Sequence, residues 1–144
     1  MIKFELVTLK GTKFGQDVHE VLLPTPDGEI AVFEHHMPLV SLANPGIVSV
    51  RKKSNEPDDL MNRYAISGGV IEVLDNRVRV LVDEADSPDE INESAVKQAQ
   101  ADARKMYSEA RDRVSIDHAQ ALLDRTTTQL KLAELKRRRK KQYK

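Results

Sequence analysis

The sequence predicts a β-sandwich or barrel followed by a helical hairpin. Three observations carry this expectation. Residues 1–85 hold short apolar and alternating runs broken by dense turn signals at close spacing. Beyond residue 86 the apolar positions recur three and four apart instead. Between them stands Ser87-Pro88-Asp89-Glu90, which has the form of a capping box with proline at the first helical position. The boundary is expected near Ala85, giving a sandwich domain over 1–85 and a helical domain over 86–144.

The strands read in order. Phe4, Leu6 and Thr8 share one face of an extended segment, with Glu5, Val7 and Leu9 on the other. Val18-His19-Glu20-Val21-Leu22-Leu23 is read as one short strand, stopped by the turn Pro24-Thr25-Pro26-Asp27-Gly28. Glu29-Ile30-Ala31-Val32-Phe33 and Pro38-Leu39-Val40 follow, then the turn Asn44-Pro45-Gly46 and the strand Gly46-Ile47-Val48-Ser49-Val50-Arg51. Ser54-Asn55-Glu56-Pro57-Asp58-Asp59 is polar and holds proline, which predicts an exposed loop. Arg63-Tyr64-Ala65-Ile66-Ser67 leads into Gly68-Gly69, a bulge or a close backbone approach. Val70-Ile71-Glu72-Val73-Leu74 and Arg77-Val78-Arg79-Val80-Leu81-Val82 flank Asp75-Asn76, the strongest hairpin signal in the chain.

Two helices complete the chain. The first starts at the Ser87 box or at Asn92, and Ala95, Ala99, Ala103, Met106 and Ala110 are expected to form its apolar face. Ser115 or Asp117 is expected to cap the second. There Ile116, Leu123 and Leu130 are seven apart, with Ala119, Thr126 and Ala133 between. An alanine face buries about half the area of a leucine face, at about 25 cal/mol per Å². The hairpin is therefore expected to be weakly held and able to open.

Composition narrows function. Aromatic residues are 4% of the 144 and tryptophan is absent, so the core is aliphatic. With no cysteine, thiolate metal sites and cysteine nucleophiles are excluded. The 23 basic and 23 acidic groups cancel, which argues against a generally basic nucleic-acid binder. The cancellation is uneven: residues 1–83 carry −3, residues 84–130 carry −4, and residues 131–144 carry +7. The tail includes six consecutive cations over 136–141. They suit a solvated helix end, an acidic protein surface or nucleic acid. Single-strand stacking has only Tyr143 to work with there. Met1-Ile2-Lys3-Phe4-Glu5 holds no apolar stretch of signal-peptide length, and no run approaches the ~20 apolar residues of a spanning helix. Any membrane association is expected to be indirect.

No catalytic set emerges. Neighbours such as His35 and His36 point to opposite faces of an extended segment, and Glu34 or His19 offers a third ligand at no recognisable spacing, so no metal is expected. Ser115, Asp117 and His118 fall within one helical turn and read as polar residues of a helix N-terminus, not a triad. Neither phosphate-cradling glycine loop is present.

One ordered set of segments is recognisable. It begins with Leu23-Pro24-Thr25-Pro26-Asp27-Gly28-Glu29-Ile30-Ala31-Val32-Phe33, then His36-Met37-Pro38-Leu39-Val40 and Asn44-Pro45-Gly46. It continues through Ala65-Ile66-Ser67-Gly68-Gly69-Val70-Ile71-Glu72-Val73 and Val78-Arg79-Val80-Leu81-Val82-Asp83-Glu84-Ala85. It resumes at Ile116-Asp117-His118-Ala119-Gln120-Ala121 and Gln129-Leu130-Lys131-Leu132-Ala133-Glu134-Leu135. Together these resemble the epsilon subunit of the bacterial F-type ATP synthase.

The resemblance implies a ten-stranded β-sandwich followed by a C-terminal antiparallel two-helix hairpin. It implies a non-catalytic central-stalk rotor subunit of a proton-translocating ATP synthase, coupling the catalytic head to the membrane c-ring. The sandwich would bind the gamma subunit, with Gly28, Glu29 and His36 at ring-facing positions. The helices would fold back or extend along gamma into the alpha/beta head and block ATP hydrolysis. Lys136, Arg137, Arg138 and Arg139 would then meet an acidic segment of the beta subunit. Ile116, Asp117 and Ala121 match a regulatory ATP motif, but Gln120 stands in place of its arginine and loses the charge-assisted bonds to phosphate, so no cofactor is expected. The location implied is peripheral, on the cytoplasmic face of the bacterial inner membrane, reached only through the c-ring. No nucleic acid is expected on this reading. A stand-alone nucleic-acid-binding module using the basic arm is the competing one, and steep salt dependence would mark it.

Overall fold

The computed structural model describes residues 1–143. Ten strands form two five-stranded sheets. The first sheet holds β1 (Ile2–Thr8), β2 (Gly11–Val18), β5 (Leu39–Ala43), β8 (Gly69–Leu74) and β9 (Arg77–Val82), in the order β2-β1-β9-β8-β5. The second holds β3 (Glu20–Thr25), β4 (Gly28–Phe33), β6 (Gly46–Arg51), β7 (Asn62–Ile66) and β10 (Ala85–Asp86), in the order β10-β7-β6-β3-β4. All pairings are antiparallel except β1 with β9.

The core lies between the sheets because alternate residues of each strand point inward. Phe4, Leu6, Val21, Leu23, Val48, Ile71 and Val80 are fully buried. The three rings Phe4, Phe14 and Tyr64 form the aromatic part of this core, with successive centroids 5.7 and 5.9 Å apart. Asp75 and Asn76 take positive φ of 49° and 58°, the left-handed pair a two-residue hairpin needs, so the expected turn forms there. Gly68-Gly69 is a close approach: a Cβ on Gly69 would stand 2.0 Å from the Leu81 carbonyl oxygen.

The structure corrects the strand reading in two places. The run 18–23 is not one strand: Val18 closes β2 in the first sheet, and Glu20 opens β3 in the second. The chain changes sheets at His19. Strand β2 went unread because only Phe14 and Val18 of its residues are buried. It is an edge strand, pinned by the backbone of β1 and not by its own pattern.

The hairpin is α1 (Glu93–Glu109) and α2 (Arg113–Gln142). Both candidate starts for the first helix are used. The Ser87 box closes a 3-10 turn over Pro88–Glu90, and Asn92 then caps α1 by accepting the Ala95 N–H at 3.2 Å. The second helix starts earlier than expected. Asp112, not Ser115 or Asp117, is its cap, accepting the Ser115 N–H at 3.2 Å.

The first helix also turns differently from the alanine reading. Ala95 and Ala99 are exposed, and Val96, Gln100 and Ala103 face inward instead, of which Ala103 alone is fully buried. The second helix follows its heptad: Ala119, Thr126 and Ala133 are buried, and Ile116, Leu123 and Leu130 half-buried. The Thr126 and Thr128 hydroxyls are buried at little cost because each donates to a carbonyl four residues back, at 2.8 Å. Helix α2 packs on β6 and β7 of the second sheet, and α1 packs on α2. The layers are thus first sheet, second sheet, α2 and α1.

Candidate functional site: an open sheet face and a covered one

The two outer faces of the sandwich differ. The outer face of the second sheet lies under α2 at β6 and β7, where Ser49 and Ala65 are buried although they point away from the core. Among the described residues neither helix packs on the first sheet as α2 does on the second. The register places Leu42 beside Val70, Val70 beside Leu81, and Leu81 beside Val7. Four aliphatic side chains thus form one rung across four strands, about 14 Å long at ~4.8 Å per strand. Leu42 is 63% exposed, and Val40, on the next rung, is 75% exposed. Single exposed aliphatic residues need no explanation, but a contiguous rung marks an interaction surface. The next rung, Glu72, Arg79 and Glu5, borders it with charge, and Arg79 Nε lies 3.4 Å from Glu5 Oε2.

Sequence reading missed this face, although the signal was present. Val7, Val40, Leu42, Val70 and Leu81 are apolar at positions that strand alternation assigns to solvent.

The ring-facing candidates are not brought together. Gly28 and Glu29 open β4, while His36 follows its other end. Five strand rises of ~3.3 Å, about 17 Å, lie between Gly28 and Phe33. Gly28 has φ 117°, and its carbonyl accepts the Thr25 hydroxyl at 2.6 Å, which makes a tight turn at that end. At the opposite end His36 donates from Nδ1 to the Met37 carbonyl at 2.7 Å, and His35 adopts φ 63°. Asn76 ties three segments there. Its Oδ1 accepts the His35 N–H at 3.0 Å, its Nδ2 donates to the Met1 carbonyl at 2.8 Å, and its own carbonyl accepts the Lys3 N–H at 3.1 Å. The terminal ammonium lies 2.9 Å from Glu34, and its hydrogen bond and charge hold that carboxyl below the usual range.

Ile116, Asp117, Gln120 and Ala121 lie on α2 before the stretch that meets the sandwich, which runs from Asp124, beside Asn44 and Pro45, to Tyr143, beside Asp59. Asp117 lies 3.9 Å from Arg113, and Gln120 donates to Asp124 at 2.8 Å.

The basic tail is partly engaged. Lys136 Nζ lies 2.6 Å from Asp89, Arg137 Nη1 2.7 Å from Glu93, and Arg138 Nη2 2.6 Å from Glu134 of its own helix. Further back, Arg125 pairs with Glu84 and lies 4.0 Å from Asp86, which also accepts from Gln129 at 2.8 Å. Leu132, 1% exposed, supplies the apolar contact between these bridges. None of these long-range partners was legible in sequence.

Residues 1–88 match the family described as ATP synthase, Delta/Epsilon chain, beta-sandwich domain. The chain belongs to the ATP synthase epsilon chain family. The ATP synthase epsilon chain of Herpetosiphon aurantiacus is 33% identical over 138 residues, covering 96% of this chain and 98% of the relative. That of Xanthomonas campestris pv. campestris is 34% identical, covering 95% of each. A chain in the mitochondrial ATP synthase of Euglena gracilis superposes with a TM-score of 0.75 at 25% identity, over 92% of this chain and 80% of that one. A chain in the central stalk and c-ring structure from Tetrahymena thermophila shares the fold, with a TM-score of 0.64 at 14% identity, over 91% and 95%. As an epsilon chain, this protein is a non-catalytic subunit of an ATP synthase.

Proposed function

We propose that this chain is the rotor subunit that couples the catalytic head of a proton-translocating ATP synthase to its c-ring, and that its helices inhibit ATP hydrolysis. The observation that carries the reading is the asymmetry of the sandwich. One outer face is covered by the chain's own α2, while the other offers an uncovered aliphatic rung, Val7, Leu81, Val70 and Leu42, as a seat for the gamma subunit. Two packed sheets are stiff enough to transmit torque through such a seat.

The connection over 87–92 supports an orientation. It runs beside Tyr64 and Asn62, at the His36 end of the sandwich. A hairpin that pivots there to reach the alpha/beta head leaves the opposite end, with Gly28 and Glu29, for the ring. In the extended state the cations 136–139 meet an acidic segment of the beta subunit. No helix among the described residues is long and apolar enough to cross a membrane. On this reading the protein reaches the cytoplasmic face of the bacterial membrane through the ring. With Gln120 in the motif, regulatory ATP has no charge-assisted anchor there.

Reconstitution tests the reading. The native chain, added to a complex that lacks it, is expected to co-purify with gamma and to lower the hydrolysis rate. Leu42→Asp with Leu81→Asp is expected to weaken gamma binding at least ten-fold. Its own stability should shift by no more than about 0.5 kcal/mol per site, because both side chains are exposed. Arg138→Glu with Arg139→Glu should bind but not inhibit. Undiminished co-purification of the Leu42, Leu81 variant would overturn the proposed seat.

A further inference from the structure

One edge of the first sheet is unguarded. Sheet edges present unpaired N–H and C=O groups, and proteins protect them with charge, proline, bulges or shortness. Here β10 is two residues long, β4 carries Glu29, and β2 carries Lys13 and Asp17, with Lys13 drawn into a bridge to Glu90. Strand β5 has none of these devices. It reads Leu39-Val40-Ser41-Leu42-Ala43, pairs on one side only, with β8, and leaves Val40 and Leu42 exposed on the open face.

Two hydrogen bonds orient the β5 backbone. The Asn44 N–H, just past the strand, donates to the Pro24 carbonyl of the second sheet at 3.0 Å, so it points away from β8. The Leu42 carbonyl accepts the Ser41 hydroxyl of its own strand at 3.0 Å. The N–H and C=O of a strand residue point to the same side, and that side alternates along the chain. Leu39, Ser41 and Ala43 therefore bond to β8, while the N–H and C=O of Val40 and Leu42 point off the edge. The free backbone groups and the exposed aliphatic side chains thus belong to the same two residues.

We infer that β5 accepts an added strand: an extended, uncharged segment of the gamma subunit pairs with the backbone of Val40 and Leu42 and lengthens the aliphatic rung by one side chain. The inference rests on the gamma seat proposed above and says how its border is closed. The rung Val7, Leu81, Val70 and Leu42 ends on the unguarded strand, so a partner seated on the rung reaches this edge. An edge without a guard is a template for pairing, and a strand of the docked partner covers it. Alternation sets the chemistry of that segment. Its side chain beside Leu42 stands ~4.8 Å away on the open face and must be apolar to continue the rung. Proline is excluded wherever the segment donates to β5. In strand addition the main-chain bonds give affinity and the alternate side chains give specificity.

Amide hydrogen exchange of the full chain, alone and saturated with its gamma subunit, tests this. Alone, the Val40 and Leu42 amides are expected to exchange fast and those of Ser41 and Ala43 slowly. With gamma bound, Val40 and Leu42 should slow by about 10-fold or more. Val40→Pro removes an edge N–H but no ladder bond, so its sandwich should melt with that of Val40→Ala. It should nevertheless bind gamma at least about 5-fold more weakly than Val40→Ala, because a gamma carbonyl loses its donor. Bound gamma with both amides exchanging as in the free chain overturns the added strand. If the Leu42, Leu81 variant has meanwhile lost binding, the rung seat stands and only the strand falls. Full protection at Val40 and Leu42, with undiminished binding of the Leu42, Leu81 variant, leaves the strand and removes the rung seat. Protection of both amides in the chain alone, lost on dilution, gives the edge to a second copy and overturns the assignment to gamma.

Discussion

Gly69 has no room for a methyl group. Its would-be Cβ meets the Leu81 carbonyl oxygen at 2.0 Å and Val82 Cγ1 at 2.9 Å, and Leu81 sits in the strand that pairs with β8. The obstructing atoms include backbone, so the neighbour cannot rotate away. Gly69→Ala is expected to cost about 3 kcal/mol or more, by strand displacement. Chemical denaturation of the full chain checks it, and Gly15→Ala, whose Cβ would make one ordinary contact at 3.4 Å, is the comparison. Glu20 and Arg51 are the other residue-scale feature of the sandwich. The carboxylate accepts Arg51 Nε at 2.7 Å on the outer face of the second sheet, and both side chains are largely buried. Hydrogen bonds from Arg51 to Glu20 and Asp58 raise the guanidinium further above its ordinary value, so Arg51 stays charged at any working pH.

At the scale of elements the molecule is graded in stability. The sandwich closes on a run of fully buried Val, Ile, Leu and Phe side chains contributed by both sheets. Helix α2 has one fully buried large side chain, Leu132, together with alanine, threonine and several bridges. Helix α1 has Ala103 alone. Buried apolar area falls steeply along this series, so opening free energy should fall with it. Native-state hydrogen exchange is expected to rank the elements sandwich slowest, α2 intermediate and α1 fastest. Protection of α1 equal to that of β1 would contradict this ranking. The weakness was legible in the alanine content of α1. The contacting face was not, because Ala95 and Ala99 and the set Val96, Gln100 and Ala103 are both helical stripes, and only docking against α2 selects between them.

For the molecule as a whole, the zero net charge conceals a dipole that the fold cancels. Part of the tail's charge lies over carboxylates of the connection and of α1, with Lys136 on Asp89 and Arg137 on Glu93. Acid therefore acts on the hairpin first. The hydrogen bond and charge of Lys136, with Lys140 behind it, hold the Asp89 carboxyl below its ordinary value of 3.8. A carboxyl depressed in the folded state contributes its stability above the unfolded value and loses it as pH falls through the folded value. The open fraction of the hairpin is expected to rise below about pH 4, while the sandwich, whose core is apolar, persists to lower pH. Labels placed at Asn55→Cys and Gln142→Cys in this cysteine-free chain follow the first event and β-sheet circular dichroism the second. Simultaneous loss of both signals would contradict the order.

Much of the architecture was determined by the sequence alone. Period-two runs and local turn chemistry specify β6, β8, β9 and the Asp75-Asn76 hairpin. Helical spacing specifies α1 and α2, and residue counting exposes the charge split. These signals are local, since each needs only neighbours within about seven residues. The tertiary structure decided the rest. It made an edge strand of Gly11–Val18 by pairing it to β1, and it moved the cap of α2 to Asp112. It set Glu29 and His36 at opposite ends of β4 and left one sheet face bare while covering the other. It also joined Arg125 to Glu84, Lys136 to Asp89 and Arg137 to Glu93, across separations of about forty residues or more. None of these follows from local pattern. A side chain's alternation says that it faces outward from its strand, but only the packing of distant elements says whether water, α2 or a partner lies there.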